Sequence, residues 1–321
     1  MATEIIKTIR ASGGDYTSRS AFEAAVPANL VTLDQQWSGV IDAFEDTIAV
    51  TVAGTTTDAT RYVEFRVASG QGHAGKWDAT KAKLIVSAGT AFYNDQPYTR
   101  IIGDQISDSA NYDVTLRDNF GDFRGDKLIL KETGTEGLAV LLNSNNSHLR
   151  NSVIYDSFVG IQNNLGANHY VYNCTIQNCT TGLKNVANTT IGKNILVKGG
   201  TTCFVFVAGT MNLSYCASSD ATADDWGGTG NRISQTFTFV DETGDDFHLA
   251  VGDAGAKDYG VDLSGDANYP FSDDIDGQTR SGTWDIGADE YVAAGGETIT
   301  IDKWFKELSR PIPHKVEIVN Y

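Results

Sequence analysis

Apolar and polar positions alternate in short runs along most of the chain, and through its middle the runs themselves repeat. LRNSVIYDSFVGIQNN from Leu149, VYNCTIQNCTTGLKNV from Val171 and IGKNILVKGGTTCFVF from Ile191 share one pattern. Each has a β-branched run, a polar turn, a second apolar run and another turn. Aligned on Asn151, Asn173 and Asn194, the copies are 22 and 21 residues apart. A period of this length marks a solenoid. Strand-like rather than helical spacing within each copy predicts a parallel β-helix.

Upstream, VTLDQQW, IAVTVAG, RYVEFRVA, KLIVSA, TRIIGD, YDVTLRD and KLILKE read as strands between Gly, Asp, Asn or Thr clusters. Ile5 to Ile9 is expected to form a first strand. TSRSAFEAAV then reads as a short helix, with Ser20 and Glu23 at capping-box spacing, Phe22, Ala25 and Val26 on one face, and Pro27 ending it. Such a helix would plug the open first rung. Gln71 to Lys81 breaks the rhythm as a loop excursion, and Asp220 to Gly230 forms a polar loop. SQTFTFVD and DFHLAV resume strand character, residues 252–291 lose periodicity, and the final stretch ends in a Pro-punctuated segment. Asparagines crowd residues 143 to 217. They are expected as turn and ladder residues, because Asn tolerates left-handed backbone and can bond to its equivalent one rung away.

The chain has 33 Gly, only 5 Pro and 41% hydrophobic residues, which suits many short strands joined by tight turns. A net charge of −17 argues against a nucleic-acid partner, whose phosphates need a basic surface. No run of apolar residues is long enough to span a membrane. MATEIIKTIRASGG carries no long apolar stretch, so no secretory signal is expected. Cys174 and Cys216 fall two periods apart, hence two rungs apart in one stack, about 10 Å and too far for a disulfide. Cys174, Cys179, Cys203 and Cys216 are expected as reduced core residues.

Two stretches carry a resemblance. DDFHLAVGDAGAKDYGVD followed by DDIDGQTRSGTWDIGADEY (Asp273 to Tyr291) resembles the closing segment of right-handed parallel β-helix repeat (pectin-lyase-like) proteins, of the form D-F-x-L…D-x-D-G…D-I-G-A-x-E-Y. Phe247, Leu249, Asp276, Gly277, Arg280, Asp285, Ile286, Gly287, Ala288, Glu290 and Tyr291 match it. GGDYTSRSAFEAA, TTTDATRYVEFRV and GHAGKWDATKAKLIV look like β-helix proteins encoded among tailed-bacteriophage structural genes, and IDKWFKELSRPI is similar to short C-terminal segments of phage structural proteins. The resemblance implies a virion protein, made in the host cytoplasm, that assembles as a homotrimer on a major capsid protein or a tail protein.

The acids offer candidate chemistry. Glycoside hydrolysis needs two carboxylates at a set separation, and Asp113, Asp118, Asp122 and Asp126 form one group, Asp224 and Asp225 another. With 41 acids such clusters arise readily, and a solvated, turn-rich surface is the expected reading. His73, His148, His169, His248 and His314 show no pairing pattern. SDDIDGQ (Ser272 to Gln278) alternates acids before a Gly but lacks the downstream Glu of a calcium loop. Trp77 and Trp226 lie in the two loops and are candidates for stacking on a surface glycan, or for anchoring their loops. Trp304, Phe305 and Leu308, with Ile312 beyond them, could form an apolar docking face.

These readings predict an all-β chain: a right-handed parallel β-helix solenoid with a short N-terminal capping helix and an irregular C-terminal cap. The expected divisions are 1–29 strand and helix, 30–250 solenoid, 251–295 cap and 296–321 docking tail. The expected function is a non-enzymatic virion structural protein, with no cofactor and no metal. The alternative is a tailspike-like protein that binds or depolymerises polysaccharide.

Overall fold

The computed structural model describes residues 2–111 and 113–293, and they form a parallel β-solenoid of about 8 turns. Each turn contributes a strand to up to three parallel ladders. Thr3–Ile9, Gln35–Ile41, Val63–Val67, Thr99–Ile102 and Arg124–Asp126 begin the first ladder. Glu45–Asp46, Lys83–Val86, Gln105–Asp108 and Ile129–Glu132 begin the second. The third holds Val50–Val52, Phe92–Asn94, Val114–Asp118, Leu138–Leu142, Val159–Asn163, Thr181–Asn185 and Thr202–Phe206. His148–Tyr155 and His169–Gln177 each run through the first and second ladders, which fuses them into one sheet of 15 strands beside a sheet of 7.

The repeat seen in the sequence is the corner between these two ladders. Asn151, Asn173 and Asn194 stack in register with φ of 47°, 47° and 53°. Gly103, Lys127 and Tyr215 continue the column at φ of 73°, 54° and 52°. The chain bends left-handed at each rung, which Asn and Gly accept most readily. The three asparagines are fully buried, and the amides of Asn173 and Asn194 lie 2.9 Å apart. Another ladder runs along an outer corner, where Asn164 Nδ2 donates to Asn143 (3.2 Å), Asn143 Nδ2 to Asn119 (2.9 Å) and Asn119 Nδ2 to the Tyr93 hydroxyl (2.7 Å).

Inward-facing apolar residues form one continuous core from Ile9 to Ala223. At its N-terminal end Phe22, Phe65 and Phe92 stack edge-to-face at 5.3 Å steps. Phe22 belongs to the helix Arg19–Glu23, which plugs the first rung as expected. Its cap differs from the expectation. Ser18, not Ser20, accepts from the Ala21 amide (3.0 Å), and Glu23 instead accepts from the Ala53 amide (3.0 Å). Ala25 is exposed. Arg19 is wholly buried and donates from Nε and Nη2 to Asp104 (2.8 and 2.7 Å), with Asp46 3.3 Å from Nη1. Residues expected to begin the strand VTLDQQW form one helical turn, Leu30–Leu33, because Asn29 caps it through the Thr32 amide (2.8 Å).

The solenoid also ends earlier than expected. Its last ladder strand is Ala217–Ser218; beyond it Arg232 still bridges Ala217 in parallel, and residues 236–250 lie outside the ladders. The turn Thr222–Asp224 closes the final rung, with Ala223 in the core and Trp226 packed against it. Residues 251–291 meet the last turn through Arg232, whose Nε and Nη2 donate to the carbonyls of Gly255 and Ala254 (3.1 Å each). With the antiparallel pair Phe239–Asp241 and Asp246–Leu249, residues 251–291 fold back along the flank as a flap. The flap buries Phe247, Leu249, Ile275, Ile286 and Ala288 on the outward-facing Ile129, Val153, Tyr155, Leu196 and Ala217 of the second ladder. Leu263, Phe271 and Trp284 cover Tyr170 and Tyr172 of the first. A strand with core on one side and flap on the other is buried throughout, which is why all 9 residues of His169–Gln177 are buried.

Candidate functional site

The residues that could carry chemistry converge where the flap meets the loop Gln71 to Lys81. Asp246–Leu249 is a strand, so its side chains alternate. Phe247 and Leu249 enter the flap core, and Asp246 and His248 share the other side. The Asp274 carboxylate accepts from the amides of Asp276 (3.0 Å) and Gln278 (2.8 Å), fixing a turn that presents Asp276 to His248. His248 Nε2 lies 3.0 Å from Asp276 Oδ2, and its Nδ1 is hydrogen-bonded to Asp246. Asp289, buried in the D-I-G-A-x-E stretch, accepts from the Leu249 amide at 2.7 Å. Lys76 Nζ sits 3.0 Å from Asp246.

Electrostatics follow from this packing. Burial alone would lower the His248 pKa, but its bonds to Asp276 and Asp246 outweigh that and push it up to about 9. Burial pushes the Asp289 carboxyl up to about 6. Burial would raise Asp276 too, yet its bond to His248 holds it below its ordinary value. Both His248 nitrogens are engaged by carboxylates, so as it stands the imidazole has no free lone pair with which to act as a general base. Beside this cluster lies an open cleft of about 580 Å³, bordered by Ser69, His73, Asp78, Lys81, Lys127 and Asp276. Three of its charged groups are already paired, whereas Asp276 Oδ1 has no hydrogen-bond partner. Lys127 Nζ is 2.6 Å from Asp273, Lys81 Nζ donates to the Gly70 carbonyl (2.9 Å), and Asp78 accepts from the Thr80 amide (2.8 Å).

The acids singled out in the sequence do not come together. Asp113 accepts from the Gly89 amide (3.0 Å), while Asp118 is fully buried and binds Asn94 (2.7 Å), Ser147 (2.5 Å) and Ser144. Asp122 occupies a left-handed turn, and Asp126 is paired with Arg150 at 2.6 Å. Asp224 and Asp225 are exposed on the turn that closes the last rung. The alternating acids of SDDIDGQ diverge: Asp273 pairs with Lys127, Asp274 holds the turn and Asp276 meets His248. Trp77 is half-buried against the flap core, and Trp226 packs on the solenoid core 6.1 Å from Phe206, so both anchor their loops. The four cysteines are free and buried. Cys174, Ile195 and Cys216 share one stack. Burial pushes the Cys174 and Cys216 thiols up to about 12 and Cys179 up to about 11, which leaves them protonated and unreactive. Trp304, Phe305, Leu308, Ile312 and His314 lie outside the described residues.

Sequence reasoning passed over His248. The signal was the i, i+2 pair Asp246 and His248 on a strand, which places both on one side. Its partners Asp276 and Asp289 are 28 residues or more downstream and are brought in only by the flap. No protein-family model matches the chain, and no curated protein matches it.

Proposed function

We propose that this chain is a non-enzymatic structural protein of a tailed-phage particle, a capsid decoration or tail-associated solenoid that docks through residues 296–321 as a homotrimer. The observation that supports a structural over a catalytic role is the fate of the buried acids. Asp104, Asp118, Asp126 and Asp274 are each committed to a rung, a turn or an ion pair. The virion setting rests on the resemblance of the N-terminal half and the tail to phage structural proteins. The compact unit ends at Tyr291, so a tail beyond it can be removed without cutting a ladder or the flap.

The test is mass spectrometry and cryo-electron microscopy of purified particles from the source. Stoichiometric copies on the particle are expected. A chain truncated after Tyr291 should fold, trimerise poorly and be missing from particles. Absence of the full-length chain from particles, or normal incorporation of the truncation, would overturn the proposal. Release of oligosaccharide from host surface polysaccharide by the pure protein would favour the tailspike-like alternative.

A further inference from the structure

We propose that His248, Asp276 and Asp289 form a binding site for one divalent transition cation of the Zn²⁺ or Mn²⁺ class, which ties together the strand, the turn and the terminal stretch of the flap. Each residue presents a ligand atom, and these atoms all lie within 4.8 Å of one another. Among the described residues no other group of His, Cys, Asp and Glu does this. His248 Nε2 and Asp276 Oδ2 are 3.0 Å apart. That is about the separation of two ligands that each sit about 2.1 Å from a shared ion.

Three further features point to a ligand. Asp276 Oδ1 is shielded from solvent and has no hydrogen-bond partner, which leaves a buried acceptor without a donor. Gly75 faces the same place. A Cβ added to it would lie 2.1 Å from His248 Nε2 and 2.8 Å from Asp276 Oδ1, so any side chain there would fill the space in front of both. Gly75 has φ of +67°, which also favours glycine. Finally, Asp246 holds Nδ1, the arrangement that fixes the tautomer and ring orientation of a metal-ligating histidine. The donor set selects the ion. Imidazole suits Zn²⁺ and its neighbours, whereas Ca²⁺ prefers six or more oxygens. Binding requires the imidazole to give up its Nε2 proton to solvent and leaves Asp246 on the Nδ1–H.

The experiment is isothermal titration of the full chain with Zn²⁺, Mn²⁺ and Ca²⁺ after chelator treatment, with hydrogen exchange of the flap read in parallel. One Zn²⁺ or Mn²⁺ per chain is expected, with slower exchange across Asp246–Leu249 and 274–291 and weaker Ca²⁺ binding. His248→Ala and Asp276→Asn should each weaken binding at least a hundredfold. Asp246→Asn, which touches no ion, should weaken it roughly ten- to a hundredfold. Asp289→Asn keeps an acceptor for the Leu249 amide, so it tests the ligand without removing that bond. Its Co²⁺ complex should lose the visible bands of the parent. The proposal fails if no ion binds, or if binding survives both Asp276→Asn and Asp289→Asn unchanged.

Discussion

Arg280 is the residue whose loss should unravel the C-terminal part of the flap, because its hydrogen bonds tie residues 273–290 together. Its guanidinium is fully buried, with Nη2 donating to the carbonyls of Ala288 (2.8 Å) and Gly287 (3.0 Å). Nη1 lies 3.1 Å from the Glu290 carboxylate, and Nε donates to the Asp273 carbonyl (3.2 Å). Replacement by Met keeps most of the volume and removes every donor. The Gly287 carbonyl left without its donor costs about 1–3 kcal/mol, whereas the Ala288 carbonyl keeps the Ile275 amide (3.0 Å). A buried carboxylate without its cation costs about 3–5 kcal/mol. Glu290 can relieve part of that by taking a proton, since burial already raises its pKa. A net loss of about 5 kcal/mol is therefore expected, or more than a thousandfold in flap opening. Because the flap packs outside the ladders, the loss should be local. Hydrogen exchange in residues 274–291 should accelerate by that factor, while Val50–Val52 of the third ladder, which is not among the strands the flap covers, stays protected. Exchange within tenfold of the parent across 274–291 would refute the reasoning. So would simultaneous loss of protection in the first rungs.

Phe22→Ala at the N-terminal plug should cost about 3–5 kcal/mol, read as a shift of the urea midpoint, because it removes the first ring of an aromatic column. A cost under about 1 kcal/mol would mean the helix does not seal the core. Burial pushes the Asp285 carboxyl up to about 7. Between its unfolded value near 3.9 and about 7 the closed flap binds more protons than the open one. The Asp285 contribution to the closed flap should therefore be full below pH 4 and be lost as pH rises through 7, seen in exchange rates corrected for intrinsic chemistry. Asp285→Asn should flatten that slope. Lys127, Lys131, Lys193 and Lys198 pair with Asp273, Asp245, Asp266 and Glu242 of the flap segment at 2.6 to 3.0 Å. These part-exposed pairs are worth about 2 kcal/mol together. Salt at 1 M should then raise flap opening by no more than roughly thirtyfold. Full release of the flap by salt would show that its apolar contacts do not hold it.

The rungs were legible because their signal is local and periodic. Asn151, Asn173 and Asn194 mark the corner in the sequence as they do in space, and the cysteine stack follows from the same count. The path of the flap was not legible. Its anchors, Asn194 bonding to Val261 (2.8 and 2.9 Å) and Thr175 bonding to the Ala288 amide (3.0 Å), join positions 67 and 113 residues apart with no shared period. Gly287 shows the same limit. Its φ of 115° explains the glycine, as does Thr175 Oγ1, which would lie only 2.8 Å from any Cβ at that position. That second reason exists only once the partner strand is known. The candidate site inherits this. Asp246 and His248 are readable as neighbours on a strand, whereas Asp276, Asp289 and Gly75 arrive from three separate segments.

A parallel solenoid has weak points at its two ends and along any outward apolar face, because each exposes backbone edges or core to other chains. In this chain those places are occupied by dedicated residues. Phe22 closes one end, Ala223 and Trp226 close the other, and the flap covers Ile129, Val153 and Leu196 on the flank. One open edge is the strand Thr3–Ile9, which pairs with Gln35–Ile41 on one side only. Near Thr8 its free side is taken by Tyr16, whose amide donates to the Thr8 carbonyl (3.0 Å). Its exposed part carries Glu4, held by Arg66 at 2.6 Å, and Lys7 beside Asp15 at 3.6 Å. A neighbouring strand that paired there would have to desolvate these charges. The outward apolar residues of the second ladder make sense only with the flap in place, so the solenoid and the flap encode one another. Opening the flap should therefore expose Ile129, Val153, Leu196 and their apolar neighbours to other chains, so aggregation on flap opening is the expected outcome.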